Sequence, residues 1–178
     1  MEHVKRINRE LKYKGSMLSM YADTISVPNG HIVQWDFIGH NGAAAILPIA
    51  DDGRIVMVRQ YRNALDRETL EIPAGGLNSK NEPTAVAAAR ELEEETGYTS
   101  SDIEPLISVA TAVAFCDENI DIYIARNLVR TKQHLDDDEY IDVEYYTTDE
   151  LEQMIYAGKI RDSKTVAAIM AYKNKYHK

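Results

Sequence analysis

The stretch "GLNSKNEPTAVAAARELEEETGY", Gly76 to Tyr98, decides how this chain is read. Its second half, "RELEEETG" (90–97), puts four glutamates into five positions. Ahead of them, Pro83 suits a first helical position, where its missing N–H costs nothing. Behind them, Gly97 suits the place just past a helix end. Ala85, Ala88, Ala89 and Leu92 recur at helical spacing, which predicts a helix over 82–96 with one apolar stripe.

A helix turns by about 100° per residue. With Glu91 as zero, Glu95 falls at about +40° and Glu94 at about −60°, so three carboxylates share a face. Glu93 falls at about 200°, away from them. Arg90 stands one turn before Glu94 and can hold it as an i,i+4 pair. Like charges so spaced destabilise a helix by about 0.2–0.5 kcal/mol per pair. The negative end of the helix dipole is also a poor place for them. A compensating cation is the natural reason, and clustered carboxylate oxygens suit Mg²⁺ or Mn²⁺. The bland alternative is a charge run that only solvates a surface face.

The spacing argues against the bland alternative. Gly76, five residues, Glu82, seven residues, Arg90-Glu91-Leu92, one residue, Glu94-Glu95, one residue, Gly97 and Tyr98 form one long pattern. This pattern resembles the signature box of the Nudix hydrolases at every fixed position. The resemblance implies a loop–helix–loop that binds divalent metal ions for diphosphate cleavage. It implies that Glu91 and Glu95 are metal ligands, with Glu94 a third or water-bridged one, and that Arg90 orients the carboxylates. Glu82 would be structural. A backbone carbonyl just before the box glycine can also serve as a ligand in the family. Counting the spacing makes Gly76 that glycine and Gly75 the carbonyl. Anchoring on "EIPAGG" makes Gly75 the glycine and Ala74 the carbonyl. Both registers stay open.

The resemblance extends to the ADP-ribose pyrophosphatase group through "YKGSMLSMYADTISVPNG", "IVMVRQYR", "LEIPAGG" and "IYAGKIRDSKTVAAI". It implies cleavage of a nucleoside diphosphate sugar, ADP-ribose to AMP and ribose 5-phosphate, and a homodimer built by exchange of an N-terminal strand unit. In "TAVAFCDEN", Glu118 stands where the group carries a general base; alone, Asp117-Glu118 would read as a polar turn. The group's proline is replaced there by Val113, which leaves another nucleotide sugar or a dinucleotide as the alternative substrate. Arg59 and Arg62 are candidate diphosphate contacts, since guanidinium groups grip phosphate in bidentate fashion. A pair from Arg62 to Glu68 or Glu71 is the structural alternative. Trp35 either stacks on adenine or covers a dimer seam.

The rest of the chain agrees with an α+β fold. Pro28-Asn29-Gly30 marks a turn between strands, and Asp52-Gly53 marks a hairpin between two apolar strands. "IEPLISVATAVAF", "NIDIYIARNL" and "VEYYT" read as strands. Thr148 or Asp149 is the expected cap of a helix closed by Gly158, and a last helix is expected over 163–172. The expected architecture is an α/β/α sandwich with a mixed sheet, over 41–178 with the box at 76–98. A small antiparallel strand unit over 1–40 precedes it.

Composition narrows the classes. The 178 residues suit one domain with a small attached unit, and the net charge of −9 argues against non-specific nucleic-acid binding. No apolar run is long enough for a membrane span. The charged start lacks a secretory apolar segment, and Cys116 is a single cysteine; both favour the cytoplasm. The five histidines show no paired metal spacing. "DDDE" (136–139) reads as a solvated loop. A non-catalytic nucleotide-binding module is the remaining class, but the complete set of box carboxylates argues against it.

Overall fold

The structure is a computed structural model that describes residues 3–16, 18–137 and 139–176; Asp138 of the acidic run therefore lies outside the described residues. The chain divides into two compact units, Met1–Gly42 with Ala110–Asn119, and Ala43–Val109 with Ile120–Lys178.

The first unit is an antiparallel meander of β1 (Lys5–Lys14), β2 (Ser19–Ser26) and β3 (Ile32–Gly39). The turn between β2 and β3 falls at Pro28-Asn29-Gly30, where Gly30 takes φ +82°. Arg9 donates two hydrogen bonds of 2.6 Å to the buried Asp23, and its guanidinium lies 3.4 Å from the centre of the Phe37 ring. The segment 110–119 joins this unit through backbone bonds between Ile38, Phe115 and Asp117. The expected strand through Phe115 ends early. Ala112 accepts from the N–H groups of both Phe115 and Cys116, so the backbone turns there.

In the second unit, β4 (Ala43–Pro48) is the central strand. Its successive side chains point to opposite faces, and both faces are buried. Ala43, Ala45 and Leu47 join one cluster, while Ala44 and Ile46 join another. The remaining strands are β5 (Ile55–Arg62), β6 (Arg67–Glu71), β7 (Ala74–Gly76), β8 (Tyr98–Thr99), β9 (Asp102–Ala110), β10 (Asn119–Arg126), β11 (Val129–Arg130) and β12 (Ile141–Tyr146). Helix α1 (Thr84–Thr96) packs Ala87, Ala88 and Leu92 on the second cluster. Helices α2 (Thr148–Tyr156) and α3 (Ser163–Tyr176) bury Leu151, Ala168, Ile169 and Tyr172 in the first. Sheet in the middle and helices outside is the expected sandwich. The sheet is mixed, because β4 runs parallel to β10 and antiparallel to β7.

Several local expectations need correction. Asp52-Gly53 does reverse the chain, with Gly53 N–H bonded to Ala50, yet β4 and β5 form no ladder hairpin. A single bridge, Ile49 to Ile55, joins them before they diverge into separate sheets, β7-β4-β10-β9 and β12-β5-β6. Pro83 is the cap of α1 rather than its first residue, and Ala85 is exposed. The cap of α2 is Thr147, whose hydroxyl accepts from Glu150 N–H while Glu150 returns a bond to Thr147 N–H. The last helix runs on to Tyr176.

Candidate active site

The buried face of α1 holds Ala87, Ala88, Leu92 and Thr96, and also two of the glutamates, Glu91 and Glu95. Burial is the first cause that pushes the Glu91 carboxyl up to about 7, and Arg90 only partly opposes it. Burial, then the charge of Glu91, pushes Glu95 up to about 8. Its partner is the N–H of Ala74, 3.1 Å from Oε2. Two carboxyls at adjacent turns of one helix are thus pushed toward their neutral forms because ionising them in a buried place is costly, and functional sites are where such costs gather.

Arg90 ties the cluster together. Its Nη1 donates to Glu91 at 2.6 Å and to Glu94 at 2.8 Å, and its Nη2 donates to the Gly76 carbonyl at 3.2 Å. Glu94 is the most exposed of the three carboxylates that the helical angles grouped. Glu82 accepts from Asn78 N–H at 2.6 Å, so it braces the loop before α1. As the side chains stand, no three carboxylate, imidazole or thiol groups among the described residues converge as a ready-made metal cage. The oxygen-rich donor set nonetheless suits a hard divalent cation, which would draw Glu91 and Glu95 into their ionised forms.

The two glycines of "PAGG" differ in their surroundings. A Cβ on Gly75 would lie 2.2 Å from Oε1 of Glu91, whereas one on Gly76 would meet nothing within 4 Å. Only Gly75 lets the strand backbone approach the glutamate. Both residues, with Ala74, pair in β7 against Ala43–Ala45.

The far end of α1 leaves carbonyls that need donors. The segment after β11 supplies them. His134 N–H bonds to the Glu94 carbonyl at 2.9 Å, and the Gln133 amide bonds to the Glu95 carbonyl at 2.7 Å. Gly97, at φ +67°, lets that segment pass, since a Cβ there would sit 2.9 Å from Gln133 N. Farther along the same segment, Glu139 adds its charge to the effects that raise both Glu91 and Glu95. The sequence reading missed Glu139, because an acidic run carries no local mark of what it faces.

The other expected residues have definite places. Arg59 is paired with Glu144, which also accepts from the Tyr146 hydroxyl. Arg62 makes two 2.8 Å bonds to Glu71, which is one of the structural alternatives expected from sequence. Lys164 also donates to Glu71. Burial alone would raise the Glu71 carboxyl, but Arg62 and Lys164 overcome it and hold the group at about 2. In the first unit, Trp35 is half-exposed on β3 opposite Asp23. Glu118 accepts from the Thr111 hydroxyl at 2.7 Å, and His40 Nδ1 lies 3.4 Å from its other oxygen.

Comparison with known proteins gives this geometry a family. The model of the NUDIX domain matches residues 39–169, and the chain belongs to that family. It is 42% identical over 167 residues to a methanol dehydrogenase activator of Bacillus methanolicus, covering 93% of this chain and 90% of that protein. It is 35% identical over 167 residues to an ADP-ribose pyrophosphatase of Bacillus subtilis, with the same coverage of 93% and 90%. A crystal structure of an ADP compounds hydrolase matches with a TM-score of 0.89 at 19% identity, covering 99% of this chain and 96% of its own; that likeness concerns the fold. No helix among the described residues is long and apolar enough to cross a membrane.

Proposed function

We propose that the protein is a metal-dependent hydrolase of nucleoside diphosphate sugars that cuts ADP-ribose to AMP and ribose 5-phosphate. The observation that carries the reading is the buried pair Glu91 and Glu95, raised to about 7 and about 8 at adjacent turns of α1. The similarity to the Bacillus subtilis ADP-ribose pyrophosphatase supports the substrate. Glu91, Glu95 and Glu94 would hold Mg²⁺, with Mn²⁺ as a substitute, helped by a carbonyl of Ala74 or Gly75. The tight approach of Gly75 to Glu91 supports Gly75 as the box glycine and so favours the Ala74 carbonyl. Such a cation neutralises phosphate charge and activates water.

The chain's own residues do the rest. Arg90 orients Glu91 and Glu94. Arg62, whose side chain is partly exposed, and Arg59 offer positive charge to the diphosphate, each while paired to a carboxylate. Trp35 presents a ring for adenine or for a second copy of the chain. A water oxygen attacks one phosphorus, the bridging P–O bond breaks, and the bridging oxygen leaves with the other phosphate. Glu118 or Glu139 accepts the water's proton.

A second reading, with a dinucleotide as substrate, draws on the 42% identical relative, which is named as an activator of a dehydrogenase. We further propose a cytoplasmic homodimer in which the N-terminal strand unit forms the seam. The exposed apolar side chains Ile7, Leu11 and Tyr13 on β1 support that seam, and light scattering would test it. The net charge of −9 speaks against a nucleic-acid partner.

One screen tests the function: turnover of ADP-ribose, other nucleotide sugars and dinucleotides with Mg²⁺ or Mn²⁺, with products identified. Glu95→Gln is expected to lose more than about 100-fold in turnover while remaining folded. Full activity in that variant sinks the reading.

A further inference from the structure

The second unit holds a cavity of about 400 Å³ that none of Glu91, Glu94 and Glu95 lines. Its walls carry five cationic side chains against two carboxylates, in a chain whose net charge is −9. Two of the cations are already committed. Arg62 and Lys164 neutralise Glu71, and Lys164 also reaches Asp162 at 3.0 Å. The other three, Arg67, Lys159 and Arg161, are exposed and have no ion-pair partner among the described residues. They come from two separate places, the start of β6 and the segment before α3. Like charges gathered around one hollow repel each other unless an anion sits between them. Leu65 and Leu70 add apolar wall beside them.

We propose that this cavity, which the box glutamates do not line, binds a phosphomonoester anion through Arg67, Lys159 and Arg161. A phosphomonoester carries nearly two negative charges near neutral pH, which answers three unpaired cations. Guanidinium groups match phosphate oxygens in bidentate fashion, and a lysine adds a point charge. The volume lies at the low end for ligand sites, so it suits a sugar phosphate or phosphate alone rather than a whole dinucleotide. The apolar wall and the carboxylates favour a ligand with a sugar over a bare ion. Arg62 links the two places physically, because it lines this cavity and also feels the charge of Glu95. The proposed hydrolysis releases two phosphomonoesters, so an occupant could come from the reaction itself; anion binding does not depend on that reading.

The test is calorimetric titration of the full chain, with a chelator present so that no cation-borne phosphate contributes. Ribose 5-phosphate, AMP, inorganic phosphate and ribose are the probes. Ribose 5-phosphate is expected to bind, and ribose is not. The double variant Lys159→Ala/Arg161→Ala should weaken binding by about tenfold or more, with its melting temperature unchanged. Arg67→Gln should weaken it independently. Inorganic phosphate binding as tightly as ribose 5-phosphate would assign the site to the free anion. No binding by any phosphate probe, equal binding of ribose, or unchanged affinity in both variants overturns the proposal. Failure of ADP-ribose turnover in its own assay would leave these titrations untouched, so the two readings fail separately.

Discussion

The α-carbon of Gly75 lies against the carboxylate of Glu91 so closely that a methyl group there would sit 2.2 Å from Oε1. One turn of helix and one strand backbone are thus fitted to each other at a single residue. Gly75→Ala is expected to displace Glu91 and lower turnover by about 100-fold, the scale of a misplacement near 1 Å. Gly76→Ala, which meets open space, should stay within a few-fold of the parent. Steady-state kinetics on the two variants checks this. Equal tolerance at both positions would refute it.

The raised carboxyls predict an unusual pH dependence. Their folded values of about 7 and about 8 lie above the ordinary 4.5, so the folded chain binds more protons than the unfolded one. Their stabilising effect is complete below pH 4.5 and is lost as pH rises through about 7 and about 8. In chelator, urea denaturation should therefore come progressively earlier from about pH 5 to about pH 8, with an upper slope of about 1.4 kcal/mol per pH unit for each group. Saturating Mg²⁺ should flatten the slope, because a cation binds the ionised form and expels the protons. A flat profile in chelator counts against the burial argument.

Glu71 gives the opposite sign at the acid end. Its folded value of about 2 lies below the ordinary 4.5, so its contribution is present above pH 4.5 and lost as pH falls through about 2. Lys164→Met removes one buried partner and leaves the carboxylate poorly matched. It should cost about 3 kcal/mol at neutral pH and less in acid, where Glu71 is protonated. Thermal melts at the two pH values measure the difference.

Two carboxylates compete for the water's proton, and their variants should separate them. The one that serves as base should lose about 100- to 10,000-fold in kcat as Gln, with the acid limb of its pH–rate profile removed. Glu139 bears electrostatically on Glu91 and Glu95, whereas Glu118 is already engaged by the Thr111 hydroxyl. Glu139→Gln is expected to show the larger loss. A larger loss in Glu118→Gln would reverse the assignment.

What the sequence disclosed follows physical lines. The glutamate helix was legible because like charges at helical spacing violate a local rule, and a violation of that kind needs a reason. The alternating faces of β4 were not, since its alanines, Ile46 and Leu47, buried on both sides, read as one apolar run. Asp52-Gly53 told that the chain reverses, but turn residues do not say which sheet each arm enters. Thr147 and Thr148 are chemically alike, so choosing the cap required the backbone. Glu139 was hidden for a different reason: the glutamates its charge bears on lie far earlier in the chain, and local sequence pattern does not reach across such a separation.

Arg90 has one more implication. A single guanidinium holds Glu91, Glu94 and the Gly76 carbonyl, so the glutamate helix carries its own internal counter-ion. A chain with that provision can mature first and be loaded afterwards, unlike small domains whose metal is the nucleus of the fold. Exhaustive chelation should therefore silence turnover yet leave the circular dichroism spectrum intact, and readmitting Mg²⁺ should restore turnover without a refolding lag. Supply of the ion, rather than synthesis of the protein, would then set how much working enzyme is present at any moment.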